Sequence, residues 1–135
     1  MCLSFMFNYR KEKYNNLITL QGIKFYKKLE NEVAYDGIIK IYSFKSSDDK
    51  INTLLNKVYF GDFIYQTSNG ILLRLFKSRI SWSKTSLVHL NIEKKQLKVI
   101  KEIKSSYDIW TVNRLTNNAY VIEVAPNEVV DFVDL

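Results

Sequence analysis

A mainly β fold, β or α+β, is the class this sequence predicts: an antiparallel meander sheet built from two similar repeats, with at most one or two short helices. Three observations lead there. Short apolar runs rich in β-branched and aromatic residues recur along the chain, broken by Asn, Lys, Ser and Gly. The clearest series is Leu87 to Ile92, Leu97 to Ile103, Tyr107 to Val112 and Ala119 to Val124. The same order occurs once before, 49 residues upstream: Ile38 to Ile41 stands where Leu87 to Leu90 stands later, and Thr67 to Leu75 aligns with Thr116 to Val124 without a gap. Helix signals, by contrast, are scarce.

Taken in order, residues 1–36 form an N-terminal segment, 38–76 the first repeat, 87–125 the second and 126–135 an acidic C-terminal strand, all within one domain. Met1 to Phe7 reads as a first strand; it is too short to cross a membrane and has no basic residues before it. Leu17 to Leu20 is a short strand candidate ending near Gly22. Ile23 to Val33 reads as a strand, although Ile23, Tyr26 and Leu29 also fit helical spacing. Asp36-Gly37 is a two-residue turn signal that would join this arm to Ile38 to Phe44 as a hairpin.

Ser47 or Asp48 can cap a helix, and Ile51, Leu54, Leu55 and Val58 then share one helical face. Residues 48–58 are therefore expected to be helical. Residues 94–104, their counterpart, fit helix and strand about equally and are expected to be extended. Asp62 to Gln66, a turn at Ser68-Asn69-Gly70 and Ile71 to Phe76 make a hairpin. Ile71, Leu72, Leu73, Leu75 and Phe76 fill both faces of its second arm, so that strand is expected to be central or covered on both sides. Lys77 to Ser86 is basic and hydroxyl-rich and should lie on the surface.

The second repeat, with its strand, polar turn, strand, Tyr107-Asp108-Ile109-Trp110 and two further strands, resembles one blade of a β-propeller. No Trp-Asp dipeptide marks its end. Two units cannot close a ring that needs about four blades or more, so the resemblance implies a propeller-blade-like sheet that is open or folded over, not a closed propeller.

Composition bounds the function. The chain has 135 residues, is 47% hydrophobic and carries a net charge of +6, enough for one domain with its own core. Its only cysteine, Cys2, excludes an internal disulfide and a thiolate-built zinc site and is compatible with a reducing compartment. From Leu115 onward there are acids but no Lys or Arg, so a basic body carries an acidic end. That pattern fits either an acidic partner or an end that folds back on the body.

Chemistry is hard to find. His89 is the only histidine, and its place in a strand, on the face opposite Val88 and Leu90, fits a solvated or hydrogen-bonded residue better than a catalytic one. Asp48-Asp49 suits a helix cap rather than a metal, and the four scattered glycines make no phosphate cradle. No catalytic, cofactor or metal site is expected. Lys77, Arg79, Trp82 and Lys84, in the segment between the repeats, are the candidate partner-binding residues, because Trp and Arg dominate interface hot spots. Arg74 and Glu123 hold equivalent places in the repeats and would form an ion pair if the copies packed about a twofold axis.

The function expected is that of a small cytoplasmic, non-enzymatic inhibitor or immunity-type protein that covers the working surface of one partner protein. The alternative is a nucleic-acid-binding module using Lys24-Phe25-Tyr26-Lys27-Lys28 and Tyr42-Ser43-Phe44-Lys45 as a basic aromatic sheet face.

Overall fold

The computed structural model describes residues 14–33, 39–78, 84–103 and 109–135. Strands β1 (Asn15–Leu20), β2 (Ile23–Val33), β3 (Ile39–Ser46), β4 (Tyr59–Gln66), β5 (Gly70–Phe76), β6 (Thr85–Asn91) and β7 (Gln96–Ile103) form one antiparallel sheet in sequence order. Helix α1 (Asp49–Leu55) is inserted between β3 and β4. Strands β8 (Thr111–Arg114), β9 (Ala119–Ala125) and β10 (Glu128–Val133) make a second, three-stranded sheet with β9 central. The fold is thus the antiparallel meander expected, with one short helix and no closed barrel among the described residues.

The helix forms where the cap was expected: the Asp48 carboxylate accepts the Ile51 N–H at 2.9 Å. Ile51 and Leu55 are buried and pack with Phe25, Phe44, Phe60, Ile71, Leu73, Val88 and Leu90 on one face of the large sheet. Lys95, in the turn between β6 and β7, reaches the same Asp48 at 2.9 Å and so ties that turn to the helix. Inserting α1 shortens the pairing of β3 with β4 to Tyr42↔Phe60 and Ser43↔Tyr59.

The second face of the large sheet is covered by the small one. Leu72, Leu87 and Ile103 meet Trp110, Tyr120, Ile122, Val124, Val130 and Phe132. Alternation along β9 decides the orientation: Tyr120, Ile122 and Val124 are buried while Glu123 is exposed. Strand β5 is therefore covered on both sides, as the apolar side chains on both its faces require.

In the aligned segments, Thr67 N–H bonds the Gly70 carbonyl at 2.8 Å and Thr116 N–H the Ala119 carbonyl at 3.3 Å. The two turns also touch, through the Ser68 hydroxyl and the Asn117 carbonyl, at equivalent positions. The likeness stops there. Residues of α1 align with β7, and β4-β5 lie in the large sheet whereas β8-β9 form the small one.

The Arg74–Glu123 pair does not form. Arg74 is buried and faces Trp110 and Thr85, whereas Glu123 points outward from β9. The reason is the period of the strand, which puts Glu123 between two inward neighbours. Of the strand expected over Tyr107 to Val112, Tyr107 and Asp108 lie outside the described residues, Ile109 and Trp110 precede the strand, with Trp110 buried, and the strand runs from Thr111 to Arg114. The acidic end does fold back: β10 pairs with β9, Glu128 approaches Lys101 at 3.9 Å, and Asp134 is buried. Met1 to Phe7, Cys2 and the Asp36-Gly37 turn lie outside the described residues.

Close packing of β5 on β6 sets a steric limit at Gly70. A Cβ there would stand 1.9 Å from the Leu90 carbonyl oxygen, which is backbone and cannot swing aside. Gly70→Ala should cost about 3 kcal/mol, read as a shift of the urea midpoint with unchanged slope. Gly22→Ala, where φ is +78° and nothing lies within 4 Å, should cost about 1 kcal/mol through backbone strain alone.

Candidate functional site

Two clusters of polar and aromatic side chains lie where the sheets meet, and both depend on irregularities in the large sheet. The first is at a bulge in β4. Phe60 pairs with Leu75 and Ile64 with Leu73, so Gly61, Asp62 and Phe63 all stand opposite Arg74 alone. A bulge of this size swings its strand away from the ladder and leaves room beside the single residue it faces. Arg74 uses that room. Its guanidinium carbon lies 4.2 Å from the centre of the Trp110 ring, and its Nε donates to the Thr85 hydroxyl at 3.2 Å. Gly61 is required there, since a Cβ would come within 2.9 Å of the Phe76 ring.

Over this layer opens a cleft of about 530 Å³ lined by Asp62, Phe63, Tyr65, Arg74, Ile109 and Trp110. Phe63 meets Trp110 edge to face at 5.2 Å, and Ile109 at the rim is 86% exposed. An isoleucine this exposed beside the half-buried Phe63 and the buried Trp110 is a contact surface in composition.

The second cluster ties the end of β10 to the turn between β4 and β5. The Asp134 carboxylate accepts the Asn69 backbone N–H at 2.7 Å and the Asn69 side-chain amide at 3.3 Å. The Thr67 hydroxyl lies beside it, 2.8 Å from His89 Nε2. Asp134 itself is 3.5 Å from that same nitrogen. A carboxylate beside Nε2 can only accept and so favours the tautomer with the proton on that nitrogen, and the Thr67 oxygen then accepts from His89 Nε2–H. Burial drives the Asp134 pKa up, but the bonds from Thr67 and Asn69 and the neighbouring His89 outweigh it and hold the group below its ordinary 3.8.

This arrangement differs from a hydrolytic triad, in which nucleophile and carboxylate bond opposite ring nitrogens. Here both partners address Nε2, so Thr67 cannot be activated by a histidine that Asp134 orients from behind. Of the two expected states, solvated or hydrogen-bonded, the histidine is in the second: it is 4% exposed, with the small sheet over it and the Phe132 ring tilted against it at 4.6 Å. Sequence reading missed Asp134 and Thr67 as its partners. The one available signal was a charge, Asp134, close behind a hydrophobic β10.

Of the expected partner-binding residues, Lys77 and Lys84 are exposed and line a cleft of about 210 Å³ with Leu75, Thr85, Ser86 and Glu102. Thr85, which lines that cleft, accepts from Arg74, which lines the larger one. Arg79 and Trp82 lie outside the described residues. Among the described residues no group of His, Cys, Asp and Glu is arranged to hold a metal ion, and no helix is long and apolar enough to cross a membrane. No family model, curated protein or solved structure matches this chain.

Three outcomes follow for these clusters. Trp110→Ala should cost about 4 kcal/mol as a large buried ring is lost, and Trp110→Phe markedly less; chemical denaturation reads both. A double-mutant cycle on Arg74 and Glu123 should give a coupling under about 0.5 kcal/mol, because the side chains face opposite ways.

The pH dependence has a definite sign. Burial lowers the His89 pKa below its ordinary 6.5; Asp134 opposes this and the Lys98 charge adds to it. Below pH 6.5 the unfolded chain therefore binds the histidine proton more readily than the folded one. Stability is full above that pH and should fall as the pH drops through it, with a further loss below 3.8 from Asp134. Urea unfolding across this range should show the first loss disappear in His89→Gln.

Proposed function

We propose that this protein is a non-enzymatic, cytoplasmic protein-binding protein, an inhibitor or immunity-type molecule that neutralises one partner protein by covering its working surface. The observation that carries this reading is the cleft at the β4 bulge: Phe63, Tyr65, Arg74 and Trp110 form a rigid floor and the exposed Ile109 forms its rim. Aromatic and Arg side chains preset by packing are what interface hot spots are made of, since they bury large area at small entropic cost. Lys77, Arg79, Trp82 and Lys84 belong to the same proposed surface, and their charge suits an acidic partner.

A nucleic-acid interface on β2 and β3 draws less support. Phe25, Tyr42 and Phe44, which would have stacked bases, are buried. Lys27 lies over the Tyr42 ring at 4.6 Å, and Lys28 and Lys45 lie over Tyr14 at 5.3 and 5.8 Å. Those rings are already occupied by the protein's own cations.

The test is capture from the source cell on immobilised full chain, with and without nuclease. One protein should be retained in both cases. Ile109→Glu, and separately Arg79→Ala with Trp82→Ala, should lower its capture at least tenfold without changing the melting temperature. Capture that vanishes with nuclease, or survives both sets of substitutions, overturns the reading.

A further inference from the structure

The ring of His89 has a second nitrogen that the buried chain leaves unused. Nε2 faces Thr67 and Asp134, whereas Nδ1 has no hydrogen-bond partner among the described residues. Nor is Nδ1 sealed from solvent: among the described residues the Trp110 indole nitrogen alone is both buried and unpartnered. His89 lines a cleft of about 230 Å³ between β6-β7 and the end of β10, together with Asn91, Lys94, Gln96, Lys98 and Asp134. Nδ1 is the ring nitrogen available to that cleft.

The proton inventory is set by the groups around Nε2. The Asp134 carboxylate stands 3.5 Å from Nε2 and can only accept, so Nε2 carries the proton of neutral His89, and Nδ1 holds a bare lone pair. A proton arriving at Nδ1 would place a cation in a buried site beside Lys98, whose charge already opposes it. Among the described residues Asp134 is the one carboxylate against the ring, and it already accepts from the Asn69 backbone and side chain. Lys98, on β7, is exposed and makes no ion pair or hydrogen bond among the described residues. Lys94 Nζ reaches only the Leu135 backbone oxygen, at 3.5 Å.

An anion in the cleft would relieve these groups together. It would accept from Nδ1–H, neutralise Lys98 and Lys94, and meet the side-chain amides of Asn91 and Gln96. Donors from two strands and the turn between them surround the space from several directions. That suits a small tetrahedral oxyanion better than a planar one. We propose that this cleft binds phosphate or a phosphomonoester, and that His89 takes up one proton from solvent at Nδ1 as the anion enters. The site is separate from the β4 cleft and does not depend on the partner-binding reading.

Because His89 is the only histidine in the chain, its ring can be followed alone by nitrogen-edited NMR. The wild-type protein would be titrated between about pH 5 and 8 in chloride, then at equal ionic strength in inorganic phosphate, in glycerol phosphate and in acetate. Phosphate should raise the His89 pKa by about one unit, which is about tenfold tighter binding to the protonated protein. The protonation should appear at Nδ1, with Nε2 keeping its bond. Lys98→Gln, an exposed substitution, should abolish the phosphate shift and itself raise the His89 pKa in chloride.

A shift with inorganic phosphate alone limits the ligand to the free ion. A shift with both phosphates extends it to phosphomonoesters. An unchanged His89 pKa in phosphate, an equal shift in acetate, or a phosphate shift that survives Lys98→Gln overturns the proposal.

Discussion

The double burial of β5 is the constraint on which the rest of the structure depends. Six of its seven residues are buried, so both faces must be covered by elements that bring their own apolar surface. One cover is α1 with the neighbouring strands of the large sheet, through Ile51 and Leu55. The other is the small sheet, through Trp110, Tyr120 and Ile122. Removing a strand like this from water supplies a large share of the driving force, at about 25 cal/mol for each Å² of apolar surface. It also dictates that polar atoms reaching the interface find partners inside the protein.

Arg74 and His89 are two places where that demand is met, whereas the Trp110 indole nitrogen is buried without a partner among the described residues. They lie on the same face, on adjacent strands, and each is handled by a different device. Around Arg74 the backbone of β4 bulges, an aromatic ring takes the guanidinium, and Thr85 accepts from it. Around His89 the partners come from distant parts of the chain, Thr67 from the turn before β5 and Asp134 from beyond β10. The result is a crosslink between the sheets that also determines which ring nitrogen carries a proton. Clefts arise beside both clusters because buried polar groups interrupt the close packing of the flanking hydrophobes.

The local likeness of the two turns shows how much a short sequence can carry. Thr67-Ser68-Asn69 and Thr116-Asn117-Asn118 close with the same backbone bond, and each third residue offers its carbonyl to a later N–H: Asn69 to Ile92, Asn118 to Asp134. Small polar residues at a chain reversal determine such bonds through local hydrogen bonding. They do not determine which sheet the flanking strands join.

What the sequence by itself determined is what depends on near neighbours and on period. The β-branched runs defined the strands, the Asp48 cap with Ile51 and Leu55 defined the helix, and the apolar side chains on both faces of β5 required cover on both sides. Only the tertiary structure decided that β8 to β10 leave the meander to form a second sheet, that Arg74 meets Trp110 instead of Glu123, and that Asp134 comes to His89 across 45 residues. Those outcomes rest on the register of strands far apart in the chain and on a bulge of three residues against one. The physical reason is that such choices follow from the packing of whole faces, which no single stretch of residues contains.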